Sequence, residues 1–175
     1  KQLNNIAVKM RTADMKIEWK EEGGRRSPVT EADLLINKML CEFVREYSDS
    51  LETPEECLII SEELKEVSYQ ERNSRKYSAI WIIDPLDGTK SYISYDSEKD
   101  EFTDNGFTIN LARLELCPVS VHSSGKVSYE WKPVMGIVSK PTDNMIFWGI
   151  DGVGSFQVNP DNTTNRIGCV PSEKH

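Results

Sequence analysis

The sequence predicts an α+β fold in which N-terminal helices pack on one face of a largely antiparallel sheet, layered rather than doubly wound. Two observations carry this. Residues 30–47 repeat apolar side chains at helical spacing. From Leu58 onward the chain turns to short apolar runs separated by Gly, Pro and Asn, with no regular return to helix. With 175 residues, 38% of them hydrophobic and 29% charged, a single domain over 1–175 with its own core is expected.

The first element is a helix over 2–18, with Leu3, Ile6, Ala7, Met10, Ala13 and Ile17 on one side. Lys20-Glu-Glu-Gly-Gly-Arg-Arg-Ser-Pro28 breaks it, and its glycines, proline and mixed charge predict a mobile loop. The helix over 30–47 has the strongest signal. Thr30 is suited to cap it, and Asp33 three residues on completes a capping box. Ala32, Leu35, Ile36, Met39, Leu40, Phe43, Val44 and Tyr47 make one wide apolar stripe that a sheet or second helix should cover. Residues 58–61 and 79–83 are short apolar strands, each followed at once by acid: Glu62-Glu63 after the first, Asp84 after the second. Residues 65–78 between them are polar, helix or loop. Residues 106–114 alternate as a half-buried strand does, and 133–139, 145–148 and 155–158 are further strands. Residues 115–132 are polar and irregular, an inserted loop or a long hairpin.

A net charge of −8, a pI of about 4.9 and the lack of a dense Lys/Arg stripe argue against binding to a nucleic-acid polymer, which needs a basic footprint. A small phosphorylated partner remains compatible, because acidic side chains hold divalent cations and the cations hold phosphate. No apolar run approaches the roughly 20 residues of a membrane span. No secretory signal opens the chain, Lys1 in place of methionine suggests a trimmed start, and a cytoplasmic location is the default expectation. Cys41, Cys57, Cys117 and Cys169 lie far apart without Cys-x-x-Cys spacing, which disfavours zinc. Cys41 falls on the apolar helix face as a buried thiol, and disulfides are not expected.

If the two acid-terminated strands are neighbours, Glu62, Asp84 and Asp87 converge at one edge of the sheet. Three carboxylates that close repel one another without a counter-ion. Mg²⁺ meets that need, since it accepts a few carboxylates and keeps sites for water and substrate oxygens. Pro85 stiffens the turn, so that Asp84, the carbonyl of Leu86 and Asp87 can face the same way. Gly88 lets the backbone approach a ligand, and a helix beginning at Thr89 would add free N–H groups for an anion. Singly, each motif has an ordinary reading: Asp87-Gly-Thr89 as a turn, Glu62-Glu63 as a solvated pair, Asp33 as a helix cap. Their occurrence together is what points to phosphoryl chemistry.

Taken together, Ser27-Pro-Val-Thr-Glu-Ala-Asp33, Ser61-Glu62-Glu63 and Trp81-Ile-Ile-Asp84-Pro-Leu-Asp87-Gly-Thr-Lys90 resemble the inositol monophosphatase superfamily of lithium-sensitive, Mg²⁺-dependent phosphomonoesterases. The similarity runs on through Phe107-Thr-Ile-Asn-Leu-Ala, Pro133-Val-Met-Gly-Ile-Val and Gly152-Val-Gly-Ser-Phe156. It implies the inositol monophosphatase/fructose-1,6-bisphosphatase-like fold. Within the superfamily the first and third motifs most resemble the 3′(2′),5′-bisphosphate nucleotidases of sulfur metabolism. These convert 3′-phosphoadenosine 5′-phosphate (PAP) to AMP and phosphate. By position, the resemblance makes Glu62, Asp84, Asp87 and the main-chain carbonyl of Leu86 ligands of Mg²⁺. Asp87, Gly88 and Thr89 would hold the phosphate, and Asp33 with Thr89 would orient and deprotonate the attacking water. An inositol phosphate is the alternative substrate, and a non-catalytic metal- and phosphate-binding fragment the alternative role.

The chain departs from the family's pattern at its end. The C-terminal α/β half, with its Trp-Asp-x-Ala motif, has no counterpart before His175. The expectation is therefore the metal- and phosphate-binding N-terminal half of the fold, a fragment whose activity alone is weak. Asp96-Ser-Glu-Lys-Asp-Glu101 and the 115–132 insertion are read as loops near the site mouth with no assigned role.

Overall fold

Thr30 starts the strongest helix as its capping chemistry requires. In the computed structural model, Thr30 has extended dihedrals (φ −113°, ψ 166°) and its backbone N–H donates to Asp33 Oδ2 at 2.8 Å. Asp33 N in turn donates to Thr30 Oγ1 at 3.4 Å, closing the capping box. The structure describes residues 1–22, 24–51, 56–72, 74–121, 125 and 127–168; Cys169 lies outside the described residues. Helix α1 (Gln2–Met10) precedes the hairpin β1 (Ile17–Glu22) and β2 (Arg25–Thr30), which leads into α2 (Glu31–Ser50). Then come β3 (Cys57–Ser61), the single turn α3 (Tyr69–Arg72), β4 (Ala79–Asp87), α4 (Thr89–Ile93), and the short pair β5 (Tyr95–Asp96) and β6 (Glu101–Phe102). The chain continues through β7 (Thr108–Val121), β8 (Val127–Lys140), β9 (Met145–Ile150), β10 (Gly154–Val158) and β11 (Thr164–Ile167).

Seven strands form one sheet in the order β11-β10-β9-β8-β7-β4-β3. Every pairing is antiparallel except β3 with β4, which is parallel. One face carries Trp81, Ile83, Ile109 and Leu111 and is covered by Ile36, Leu40 and Val44 of α2, with Ala7 of α1 in the same core. The α+β layering thus follows the reading of the sequence. None of the helices among the described residues is long and apolar enough to cross a membrane.

Three expectations are corrected and one pair of alternatives is resolved. The helix over 2–18 ends at Met10, because Arg11 leaves helical dihedrals (φ −80°, ψ 87°) and Ile17 pairs with Thr30 as the start of β1. The Lys20–Pro28 stretch is no mobile loop: its described residues form the ladder from Ile17↔Thr30 to Glu22↔Arg25, with Gly24 in the left-handed region at φ 78°. Pro28 is tolerated because a two-stranded ribbon has free edges where no N–H is needed. The apolar stripe of α2 is only half covered. Ile36 and Val44 are fully buried, whereas Leu35, Phe43 and Tyr47 are 39%, 52% and 38% exposed. Asp33 and Asn37 set this rotation: Asp33 closes the cap, and Asn37 Oδ1 accepts from Ser61 Oγ at 2.7 Å, so the polar side of the stripe turns inward with Cys41. The 115–132 segment is the long hairpin of the two alternatives, continuing the β7–β8 ladder from Glu115↔Lys132 to Val121↔Val127. Pro118 sits where the register shifts, a place that tolerates a missing N–H. The pair β5–β6 and strand β11 had no clear signal in the sequence.

The rotation of α2 is tested by two truncations. Ile36→Ala is expected to cost about 2–5 kcal/mol of unfolding free energy. Leu35→Ala, one residue along the same predicted stripe, should cost under about 1 kcal/mol. Equal losses in urea titrations would mean that the stripe is covered throughout.

Candidate active site

The parallel register of β3 and β4 brings the acidic residues together. Cys57 to Ser61 pair with Ala79 to Ile83 in step, so Glu62 leaves the sheet at the same level as Asp84. Asp84 and Asp87 would normally point to opposite faces, being three residues apart on one strand. They are rejoined by a bulge. Asp84 opposes Asn110 and Asp87 opposes Thr108, so three steps on β4 match two on β7. Asn110 Nδ2 donates to Asp87 Oδ2 at 3.2 Å, a support for the site that the sequence did not single out.

Asp84 bears the strain of this gathering. Its Oδ1 is buried without a hydrogen-bond partner. Burial, then the charges of Glu62 and Asp87, push its carboxyl up from the ordinary 3.8 to about 6. Among the described residues no three acidic, histidine or cysteine side chains are drawn in around one common point. The carboxylates interact through space, and Glu62 is turned toward Lys20, whose Nζ lies 3.2 Å from Glu62 Oε1 and 3.0 Å from Glu63 Oε1. Burial raises the Glu63 carboxyl, and the two glutamates hold the Lys20 ammonium above its usual range against its own desolvation. An orphaned, half-buried carboxylate oxygen among oxygen donors fits a hard divalent cation.

Gly88 and Thr89 follow directly. Gly88 lies at φ +87°, and a Cβ there would meet the Gly106 carbonyl oxygen at 2.7 Å, so both conformation and close approach demand glycine. Thr89 opens α4, and its Oγ1 is 2.9 Å from the Leu86 carbonyl and 3.2 Å from Asp33 Oδ1. Asp33 Oδ2 is held by the N–H and hydroxyl of Thr30 at 2.8 and 2.5 Å. Burial raises the Asp33 carboxyl despite those hydrogen bonds. Of the residues expected from the sequence, Asp33, Leu86 and Thr89 are thus joined by direct hydrogen bonds. Glu62, Asp84 and Asp87 are joined through their charges. A cleft of about 230 Å³ lined by Ser27, Glu62, Leu86, Asp87, Gly88, Thr89 and Lys90 opens beside them. A larger hollow of about 660 Å³ across Gly136, Gly149 and Gly154 contains none of these carboxylates.

A family model described as the inositol monophosphatase family matches residues 3–172. The chain belongs to this family. Among curated members, the 3′(2′),5′-bisphosphate nucleotidase CysQ of Haemophilus influenzae is 28% identical over 156 residues, covering 85% of this chain and 46% of the relative. The chain spans about half the length of the curated relatives it matches. CysQ from Bacteroides thetaiotaomicron, a bacterial member of the family, superposes with a TM-score of 0.58 at 19% identity over 99% of this chain and 56% of that one. An IMPase/NADP phosphatase complexed with Mg²⁺ and phosphate superposes with a TM-score of 0.57 at 22% identity, covering 89% and 46%. At these identities the structures establish the family's fold.

The Asp84 carboxyl gives a pH signature. Its pKa of about 6 in the fold lies above the ordinary 3.8, so the folded chain binds this proton more tightly than the unfolded chain does. The associated stability is complete below about pH 4 and is lost as pH rises through about 6. The raised carboxyls of Asp33 and Glu63 act in the same direction. A cation competing for Asp84 is therefore expected to raise the melting temperature most above pH 6 and progressively less toward pH 4. Melting curves with Mg²⁺ and with EDTA across that range test this; a constant difference would contradict it.

Proposed function

We propose that this chain forms the metal- and phosphate-binding part of a Mg²⁺-dependent phosphomonoesterase that removes the 3′-phosphate of PAP. The observation that carries the reading is the Thr89 hydroxyl, set between Asp33 Oδ1 at 3.2 Å and the Leu86 carbonyl at 2.9 Å, beside the unpartnered Asp84 Oδ1. The preference for a bisphosphate nucleotide rests on the nucleotidases among the relatives and on Ser27-Pro-Val-Thr-Glu-Ala-Asp33 and Asp84-Pro-Leu-Asp87-Gly-Thr-Lys90.

Glu62, Asp84, Asp87 and the Leu86 carbonyl are the oxygen donors for Mg²⁺. When bound, Mg²⁺ neutralises phosphate charge and favours deprotonation of water. The protein's part is to place and move protons. The single hydroxyl hydrogen of Thr89 serves one acceptor at a time. When it is given to Asp33, the threonine oxygen is free to accept a hydrogen from water in the cleft. As the water oxygen bonds to phosphorus and the ester P–O bond breaks, one water proton passes through Thr89 to Asp33. The leaving ribose oxygen takes a proton from solvent and Asp33 returns its proton to solvent, while the second water proton stays on the phosphate, so that a 3′-hydroxyl and inorganic phosphate are formed and the balance closes. A raised Asp33 carboxyl, held by Thr30 at its other oxygen, is a stronger proton acceptor than an ordinary carboxylate. Gly88 and Thr89, with Asp87, present main chain to the phosphate where no side chain obstructs it.

Thr89→Ala and Asp33→Asn are each expected to lower kcat by roughly 10²- to 10⁴-fold with little change in Mg²⁺ affinity. Asp84→Asn should instead weaken Mg²⁺ binding. Initial rates on PAP and on inositol 1-phosphate, with Mg²⁺ and with added Li⁺, test the substrate. A preference for the inositol phosphate would reassign the substrate class, and Mg²⁺ binding without turnover on either would leave only a binding role.

A further inference from the structure

We propose that Lys20 is a built-in counter-cation of the acidic site, holding Glu62 and Glu63 until a divalent cation takes Glu62 and thereby coupling the β1–β2 hairpin to metal occupancy; the inference rests on the metal-site reading above. The Lys20 ammonium is 3.0 Å from Glu63 Oε1, 3.2 Å from Glu62 Oε1 and 3.4 Å from the Glu62 carbonyl oxygen. One lysine thus meets three oxygens at the end of β3, two of them on the residue that also faces Asp84. Its place on the hairpin gives this contact leverage. Lys20 pairs across the ribbon with Ser27, so the two lie on one face, and Ser27 lines the cleft with Asp87, Gly88 and Thr89. Trp19, on the opposite face, is half exposed with the Arg26 guanidinium 5.4 Å from its ring centre. The β2 strand runs into α2 and is anchored by the chain itself. The β1 strand reaches the end of β3 through Lys20.

An ammonium and a divalent cation at adjoining oxygens repel each other, and both use Glu62. The metal carries twice the charge and takes the shared carboxylate, which withdraws the Glu62 carboxylate from Lys20 and loosens β1. Two effects of opposite sign follow from removing the ammonium: metal binds more tightly, and the metal-free protein loses stability. A lysine that merely packs against the strand end would produce the second without the first.

The test uses the purified protein, with Mg²⁺ affinity from calorimetric titration, melting temperature in EDTA, and amide hydrogen exchange of residues 17–22 with and without Mg²⁺. Lys20→Met, which keeps the stem and removes the charge, is expected to bind Mg²⁺ up to about fivefold more tightly, the effect of a partly exposed charge pair. It should also melt lower than wild type in EDTA. Lys20→Arg, retaining the charge, should stay close to wild type in affinity, and wild-type exchange in residues 17–22 should speed up on adding Mg²⁺. Equal or weaker Mg²⁺ binding by Lys20→Met overturns the proposal. Asp84→Asn separates the two levels. If it binds Mg²⁺ as wild type does, the metal-site reading itself fails and this inference with it. If it loses binding while Lys20→Met is unchanged, only the role of Lys20 falls.

Discussion

Glu62, Asp84 and Asp87 stand at the ends of adjacent strands, and their mutual repulsion has to be met by something in the molecule. Three different answers are visible. Glu62 is paired with Lys20, a charge brought over on a separate ribbon. Asp87 takes a neutral hydrogen bond from Asn110 on the neighbouring strand. Asp84 receives neither at Oδ1, and burial, then the charges of Glu62 and Asp87, push its carboxyl up to about 6. A pair of strands built for stability alone would not end in acids at the same level. The parallel register of β3 against β4 forces them there, and the bulge beyond Asp84 brings Asp87 back to the same side.

Asp33 ties helix stability to the site. One of its oxygens closes the capping box with Thr30, which fixes where α2 begins. The other receives the Thr89 hydroxyl from a segment 56 residues away. The helix is further oriented by Asn37 accepting from Ser61 Oγ at the end of β3, one residue before Glu62. Two polar contacts one turn apart on α2 therefore align it with both strand ends. The exposure of Leu35, Phe43 and Tyr47 follows from this alignment, since a helix turned to satisfy Asp33 and Asn37 cannot also bury its whole apolar stripe.

This division explains what the sequence could and could not convey. Periodicity located α2 and the apolar strands, because burial writes itself into side-chain spacing. Capping chemistry located Thr30 and Asp33, because it is local. The acid-terminated strands located Glu62, Asp84 and Asp87, although their convergence depended on a pairing that spacing alone could not establish. The β1–β2 hairpin was masked by Gly24 and Pro28, which ordinarily mark loops, and was revealed only by cross-strand register. Lys20 and Asn110 were invisible for a related reason. Each matters through a partner more than twenty residues away, and neither lies in a run whose composition differs from an ordinary surface strand.

The precision of Gly88 and Thr89 comes from still farther off. A five-residue helix such as α4 has too few internal hydrogen bonds to hold its own geometry. It is held from outside. Arg11, just beyond α1, donates to the carbonyls of Ser91 at 2.9 Å and Tyr92 at 2.8 Å and lies over the rings of Tyr92, Phe102 and Phe107. The Tyr92 hydroxyl donates to the Ala7 carbonyl at 2.8 Å, and the Tyr92 ring meets Phe107 edge to face at 4.9 Å. Phe107 follows Gly106, whose carbonyl oxygen leaves no room for a Cβ on Gly88. The end of α1, one aromatic cluster and one glycine contact thus set the position of the main chain that faces the cleft. The early termination of the first helix frees Arg11 to serve α4, so the departure from the simplest helical reading at Met10 and the placement of Thr89 share one cause.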